Sequence, residues 1–484
     1  MLRPLLPLLF AATLLADGSA PSPQVSVRPN ILLILADDLG YGDLASYNPR
    51  SKIRTPHLDN LARQGLRFTD AHAGGSWCVP SRYSLLTGQA PFHVSNRPDL
   101  GPVIAPERLT VAAMLRERGY ATGMIGKWHL GFDGGDKFDY TGPLRGGPVD
   151  RGFGSFFGIH ASTDIPPYFY VEGDRVVEPP TAQIPARQTP GWSPIQGEFW
   201  RAGPIASGLK LEEVQGEFTR RTITWIERQH RENPQQPFFL YVAFAAPHTP
   251  WLPTGKFRGL SPIGLYGDFT EEVDDSIGQI LATLAKFGLE ENTIVIFSSD
   301  NGPVWYPADS ERLGHDSSGG LRGMKGDSWE AGHRVPFIVR WPGRTPAGTS
   351  CSQPINFTDF FATAAELVEA PLPAAAAEDS FSFLPALRGQ PLPLRPAMVT
   401  MSYRDVLLLS VRQGDWKLIN GLGSGGFTAP VSEQPHPGGP QGQLYHLAND
   451  PQERINLWLR EPAKVAELLG VLARQQREGR SRVE

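Results

Sequence analysis

The chain has 484 residues, 40 % of them hydrophobic and 20 % charged, with a net charge of −5. That is an ordinary soluble globular composition, long enough for one large domain or two unequal ones. Acids and bases are mixed along the chain, so it carries no basic footprint for nucleic acid or for anionic lipid.

The first twenty residues stand apart. Arg3 is the only charge before the apolar run Leu5 to Leu15, and Gly18, Ser19 and Ala20 follow. Residues 1–20 therefore read as a secretory signal peptide, and the chain is expected to be exported, either periplasmic or secreted. The apolar run is too short to cross a bilayer and no later stretch is long enough, so no transmembrane segment is expected. The only cysteines are Cys78 and Cys351, too few for a disulfide framework.

Asn30–Ala36 is a continuous apolar run that ends in Asp37 and Asp38. It predicts a strand buried on both faces, as in parallel sheets. A helix over Val111–Arg118 leads to a strand over Ala121–Ile125. A helix from about Leu211 to Gln229 leads to a strand over Phe238–Ala245, and one from about Glu271 to Lys286 leads to Thr293–Ser298. The alternation predicts an α/β domain over residues 28–370, with a mostly parallel central sheet flanked by helices. Residues 371–395, rich in proline and alanine, read as a surface connection. Residues 396–484 read as a smaller C-terminal α+β subdomain. Its short antiparallel strands fall at Val406–Val411 and Trp416–Ile419, a loop at Gly421–Gly442 and a closing helix at Glu461–Gln476.

Each strand of the large domain ends in a polar cluster: Asp37 and Asp38, Lys127 with His129, His248, and Asp300 with Asn301. Ligands of open α/β sheets bind outside the carboxyl ends of the strands, so the four clusters point at one site. Asp37, Asp38, Asp300 and Asn301 offer only oxygen, and no Cys/His cluster with zinc spacing occurs. Hard donors of this kind fit Ca²⁺ or Mg²⁺ rather than zinc. Lys127 and His129 are two apart and share a face of an extended segment. In Cys78-Val79-Pro80-Ser81-Arg82, followed by Leu86-Thr87-Gly88, Pro80 suits the first turn of a helix and Gly88 its end. Cys78 then sits at a helix N-terminus, where negative charge is favoured, with Arg82 one turn on.

Cys-x-Pro-Ser-Arg followed by Leu-Thr-Gly resembles the signature of the formylglycine-dependent (type I) sulfatase family. Matching segments run from about Pro29 to Asn456. They include Gly126-Lys127-Trp128-His129-Leu130-Gly131, Pro247-His248-Thr249-Pro250, Ser299-Asp300-Asn301-Gly302 and Gly323-Met324-Lys325-Gly326. The resemblance implies an alkaline phosphatase-like fold and hydrolysis of sulfate monoesters. It implies that a maturation enzyme oxidises Cys78 to formylglycine (3-oxoalanine), and that Asp37, Asp38, Asp300, Asn301 and an oxygen of the modified Cys78 hold Ca²⁺. It also implies that Arg82, Lys127 and Lys325 neutralise charge on the sulfate. His248 with Lys325 holds the sulfate and the bridging oxygen, and His129 helps release sulfate. Ser162 matches a further sulfate contact.

An exported enzyme meets extracellular polymers, so a sulfated carbohydrate is the expected substrate, with aryl sulfates as a side reaction. The expected rim residues are His160, Asp164, Trp251, His315, Arg322, Trp329 and His333. Two alternatives remain open. One is a phosphate or phosphonate monoester hydrolase of the same superfamily. The other is an inactive homologue that only binds sulfated glycans, against which the unbroken set of motif residues argues. With Cys78 modified, Cys351 is left without a partner.

Overall fold

The computed structural model describes residues 28–94, 101–135 and 137–482, so the expected signal peptide at 1–20 lies outside the described residues. Ten strands of the described chain form one sheet: β1 (Asn30–Ala36), β2 (Leu66–Phe68), β3 (Ala121–Lys127), β4 (Ser155–Ile159), β5 (Tyr170–Glu172), β6 (Arg175–Val176), β7 (Phe238–Ala243), β8 (Thr293–Ser299), β9 (Phe337–Arg340) and β10 (Thr349–Cys351). Their spatial order is β10-β2-β9-β8-β1-β7-β3-β4-β5-β6.

Every residue of β1 is buried. A strand with no polar face needs partners on both edges and cover on both faces. β1 meets this by pairing in parallel with β7 on one edge and β8 on the other. β3 and β4 extend the parallel run beyond β7. Antiparallel pairs, β8 with β9 on one side and β4 with β5 on the other, bring in the edges. The fold is thus α/β with a mostly parallel core, as expected, and the antiparallel edges are additions that the sequence reading did not separate.

Helices cover the sheet in two groups. α1 (Pro56–Gln64), α4 (Val214–Glu232) and α5 (Leu265–Lys286) pack together, as do α2 (Cys78–Thr87), α3 (Val111–Glu117) and α6 (Asp359–Leu367). α5 buries Phe269, Val273, Ile277, Ile280 and Leu284, a stripe at helical spacing. It begins at Leu265, earlier than the expected Glu271, because polar residues of its first half face inward instead of marking a turn. Asp268 accepts from the amides of Gly259 (2.8 Å) and Ser261 (2.7 Å). Asp274 accepts from the amides of His57 (3.1 Å) and Leu58 (2.8 Å), capping α1 from outside its own chain segment.

The C-terminal lobe is a four-stranded antiparallel sheet of β11 (Met398–Met401), β12 (Leu409–Gln413), β13 (Trp416–Ile419) and β14 (Gln443–His446). The helix α7 (Pro462–Glu478) packs on it through Val465, Leu468, Val471 and Leu472. β12 starts at Leu409 rather than at Val406, since residues 404–406 form a short turn of 3-10 helix. The stretch 371–395 is more than a surface connection. It carries a short helix, Leu384–Leu387, and buries Ala376, Ala377 and Phe383.

The two lobes meet through buried charge. Arg412 of β12 reaches both oxygens of Asp70 at 2.8 and 2.6 Å, and Lys417 of β13 pairs across the boundary with Glu330 (3.0 Å) and within its own lobe with Glu453 (2.8 Å). Each of these charges has an opposite partner, the condition for keeping it away from water.

Candidate active site

The carboxyl ends of β1, β3, β7 and β8 converge. Arg82, one turn into α2, lies at the bottom of the cluster with 1 % of its side chain exposed. It donates through Nε (3.1 Å) and Nη2 (2.8 Å) to Asp300 Oδ2, through Nη2 to Asp37 Oδ2 (3.1 Å), and through Nη1 to the Lys127 carbonyl (3.1 Å). Lys127, the last residue of β3, is fully buried and its Nζ is ion-paired with Asp37. Asp38 follows Asp37 in a left-handed conformation (φ 61°) and keeps its carboxylate buried beside the cluster. That carboxylate receives Lys325 Nζ at 2.7 Å and Asn301 Nδ2 at 2.7 Å.

Cys78 is the first residue of α2, and its C-terminal end is closed by Gly88 in the left-handed region (φ 69°), whose amide donates to the Ser84 carbonyl at 2.9 Å. Cys78 Sγ lies 3.6 Å from Asp37 Oδ1 and 3.4 Å from Lys127 Nζ. Burial, and then the charges of Asp300 and Asp37, push the thiol well above its ordinary range. Together they outweigh the charges of Lys127 and Lys325, so the unmodified thiol stays protonated and is a poor nucleophile.

The other groups respond to the same crowding. Burial raises the Asp37 carboxyl, but Lys127, His248, Arg82 and Lys325 together hold it well below the usual carboxylate range. Burial and the neighbouring Asp37 push Asp300 upward. Burial lowers Lys127 and Lys325, yet the facing carboxylates more than reverse this and both remain charged. Burial, with the charges of Lys127 and Arg82, holds His129 well below its ordinary value, so its ring is neutral.

A cleft of about 280 Å³ opens above this floor. Asp38, Cys78, His129, His248 and Lys325 line it. Asp37, Arg82, Lys127, Asp300 and Asn301 lie beneath it, out of contact with the opening. Lys127 therefore touches the cysteine from below. Ser162 sits behind His248, with Oγ 3.2 Å from His248 Nδ1.

The donor set suits a metal ion. Asp37, Asp38, Cys78 and His248 each offer one ligand atom, all within 4.8 Å of one another. Asn301 Oδ1 is buried among them and accepts no hydrogen bond. An orphaned oxygen beside three carboxylates fits a hard divalent cation.

The sulfatase family model matches residues 29–370. This chain belongs to the sulfatase family. It is a sulfuric ester hydrolase. An N-acetylgalactosamine-6-O-sulfatase of Bacteroides thetaiotaomicron is 35 % identical, covering 97 % of this chain and 98 % of the relative. A steryl-sulfatase of Mus musculus is 35 % identical over 80 % of this chain and 70 % of its own length. A solved structure described with the metabolism of multiple glycosaminoglycans by Bacteroides thetaiotaomicron superposes with a TM-score of 0.79 at 34 % identity. It covers 93 % of this chain and 99 % of that one.

Six of the seven expected rim residues of this sulfatase do not face the cleft. Trp251 packs edge-on to Trp192, and His315 holds Asp43 at 2.9 Å in the core. Trp329 donates to Gln443 (2.8 Å), and His333 Nδ1 lies 2.9 Å from His72 Nδ1 under the C-terminal lobe. His160 stacks on Phe169 and contacts the Pro167 carbonyl through Nε2 at 2.7 Å. Arg322 stacks over Trp329 and lines a neighbouring cleft. The polar atoms of His160, His315, Arg322, Trp329 and His333 are held by internal partners, and Trp251 packs among aromatic rings. Asp164 alone faces the site, ion-paired with Arg201. Arg201, Trp77, Tyr403 and Phe427 complete the walls. Arg201, Tyr403 and Phe427 carry no local motif. Their place follows from how distant loops fold back, so no sequence signal marked them.

Neutral histidines give the sulfatase a definite pH response. Burial holds His72, His129, His160 and His333 below their ordinary value, His160 at about 4. The unfolded chain takes up protons below about 6.5 while the fold resists them. Their stabilising contribution is present above that pH and is lost as pH falls toward 4. The thermal midpoint is expected to drop steadily across that window. His160→Gln, which keeps a donor for the Pro167 carbonyl and cannot titrate, should flatten the slope. An unchanged slope would contradict the assignment.

Proposed function

We propose that this sulfatase removes sulfate from a sulfated carbohydrate, using a formylglycine made from Cys78 and a bound Ca²⁺. The carrying observation is Cys78 itself. It lines the cleft between a carboxylate and a lysine, where its thiol is kept protonated and useless as a thiolate. Such a site makes sense once the sulfur is replaced by oxygen. Oxidised and hydrated, Cys78 supplies one hydroxyl to attack sulfur and a second through which sulfate is shed. Ca²⁺ held by Asp37, Asp38, Asp300 and Asn301 adds fixed positive charge at the sulfate.

The chain's own residues do the rest. Lys325, which lines the cleft, supplies charge and a donor to sulfate oxygens. Lys127, from below, stabilises negative charge at position 78, and Arg82 holds Asp37 and Asp300 in place. His248 Nδ1 donates to the Thr249 carbonyl. Its Nε2 is therefore the atom that exchanges a proton with the leaving oxygen. His129 lines the cleft beside Cys78 and its buried Nδ1 has no hydrogen-bond partner, which leaves that nitrogen open to the hydroxyl deprotonated in the second half-reaction. Ser162 orients His248 rather than touching sulfate.

The carbohydrate assignment draws on the full-length likeness to the N-acetylgalactosamine-6-O-sulfatase and on the polar wall of Asp164 and Arg201. Asp164 Oδ1 is buried without a hydrogen-bond partner, ready for a sugar hydroxyl. Arg201→Ala is expected to raise KM for a sulfated monosaccharide about tenfold with little change in kcat. A nitrophenyl sulfate should be hydrolysed equally well by both proteins. We further propose export behind the signal peptide 1–20. The mature chain would comprise a catalytic domain at 28–370, a connection at 371–395 and a C-terminal subdomain at 396–484.

The test is a screen of enzyme whose formylglycine has been verified by mass spectrometry. Defined sulfated saccharides and matched phosphate monoesters are compared, with and without Ca²⁺, by released anion. Calcium-dependent release of sulfate from a saccharide is expected. Activity on aryl sulfates alone would refute the carbohydrate assignment, and a preference for phosphate monoesters would refute the sulfate-specific site.

A further inference from the structure

A second cleft lies beside the catalytic one and is larger, at about 560 Å³. Three arginines line it, Arg50, Arg322 and Arg454, against one carboxylate, Asp316. That carboxylate is already occupied. It accepts from Ser318 N (3.0 Å), Ser318 Oγ (2.6 Å) and Gly320 N (2.7 Å), so it shapes its own loop. The arginines divide into two kinds. Arg322 is fixed: its guanidinium lies 3.7 Å over the Trp329 ring and donates to Tyr445 Oη (3.2 Å) and to the Glu453 carbonyl. Arg50 and Arg454 are exposed, and their side chains form no ion pair among the described residues. A planar, permanently charged fork with free donors matches the paired oxygens of a sulfate or a carboxylate.

The position of this cleft matters as much as its charge. Val304, Lys325 and Phe427 line the catalytic cleft, and their sequence neighbours Trp305, Met324 and Thr428 line the second. In three separate segments, consecutive residues thus face the two clefts. A sugar chain with one sulfate above Cys78 would need to cross only the ridge between them to place its next charged groups among the arginines.

We infer that the second cleft is a carbohydrate subsite holding a neighbouring anionic stretch of the glycan whose sulfate is being removed. The subsite rests on the reading of the substrate as a sulfated carbohydrate. It makes the enzyme sensitive to chain length, since a monosaccharide reaches only the catalytic cleft.

The test uses the double variant Arg50→Ala/Arg454→Ala in the full-length enzyme. Binding of a sulfated hexasaccharide and of the matching sulfated monosaccharide is measured by calorimetry on a Cys78→Ala background, where nothing turns over. Hexasaccharide affinity is expected to fall roughly fivefold, with a weaker dependence on salt. Monosaccharide affinity, and its kcat/KM in the active enzyme, should not move. Unchanged hexasaccharide affinity, or an equal loss for both ligands, overturns the subsite. The two failures are distinguishable. If the unaltered enzyme releases sulfate from the monosaccharide and the double variant binds hexasaccharide normally, the carbohydrate sulfatase stands and the subsite falls. If no saccharide is hydrolysed by the unaltered enzyme, the substrate assignment falls and takes the subsite with it, and a selective loss of hexasaccharide binding in the double variant would then mark only an anion-binding surface.

Discussion

Cys78→Ala is expected to abolish turnover, by roughly 10⁴-fold or more, as removal of a covalent nucleophile does. The fold should survive. Cys78 is buried, but its thiol is uncharged, and its sulfur contacts Asp37 and Lys127, which already pair with each other. Losing one buried sulfur leaves a small cavity and costs about 1–2 kcal/mol. Cys78→Ser separates the mechanism from the geometry. A serine hydroxyl can attack sulfur and expel the alcohol, but it lacks the second hydroxyl needed to shed sulfate. At most one equivalent of alcohol should appear, followed by a stalled, sulfated protein visible by mass. Sustained turnover in either variant would sink the formylglycine reading.

Arg82→Ala is expected to carry the largest stability cost, about 3–5 kcal/mol. The guanidinium is the shared partner of Asp37 and Asp300, both fully buried, and of the Lys127 carbonyl. Its removal leaves two carboxylates side by side with one lysine between them. Chemical denaturation should show the lowered midpoint directly. Arg82→Lys should recover only part of the loss, because one ammonium cannot reproduce donors to both carboxylates and the carbonyl at once. A midpoint in the alanine variant within about 1 kcal/mol of the parent would mean that the floor reorganises freely.

Much of this was visible in the bare chain because parallel strands write themselves plainly. A strand such as Asn30–Ala36, hydrophobic on both faces and followed by two aspartates, declares its depth and its functional end together. The same logic located Lys127, His248 and Asp300. Depth relative to the opening was less visible. Nothing in a strand-end motif says that Arg82 and Lys127 form the floor while Lys325 reaches the cleft. That depends on the left-handed turn at Asp38 and on the loop that carries Lys325. The rim was harder still. Tyr403 and Phe427 belong to the C-terminal lobe, more than three hundred residues along the chain from Cys78. They arrive at the site because Arg412 and Lys417 dock that lobe on Asp70 and Glu330. Buried ion pairs of this sort look like ordinary surface charge in a sequence.

The docking has a fine detail at Asp327, two residues after the catalytic-cleft lysine. Its carboxylate accepts the amides of Phe427 (2.8 Å) and Thr428 (3.1 Å), and Gly426 approaches Gly326 so closely that a Cβ there would meet backbone at 2.2 Å. The wall of the cleft and the lysine that lines it are therefore a single mechanical piece. Beyond Thr428 the loop leaves that clamp, and residues 431–438 are exposed. Evolution can lengthen, shorten or recharge that tip without disturbing the reacting centre.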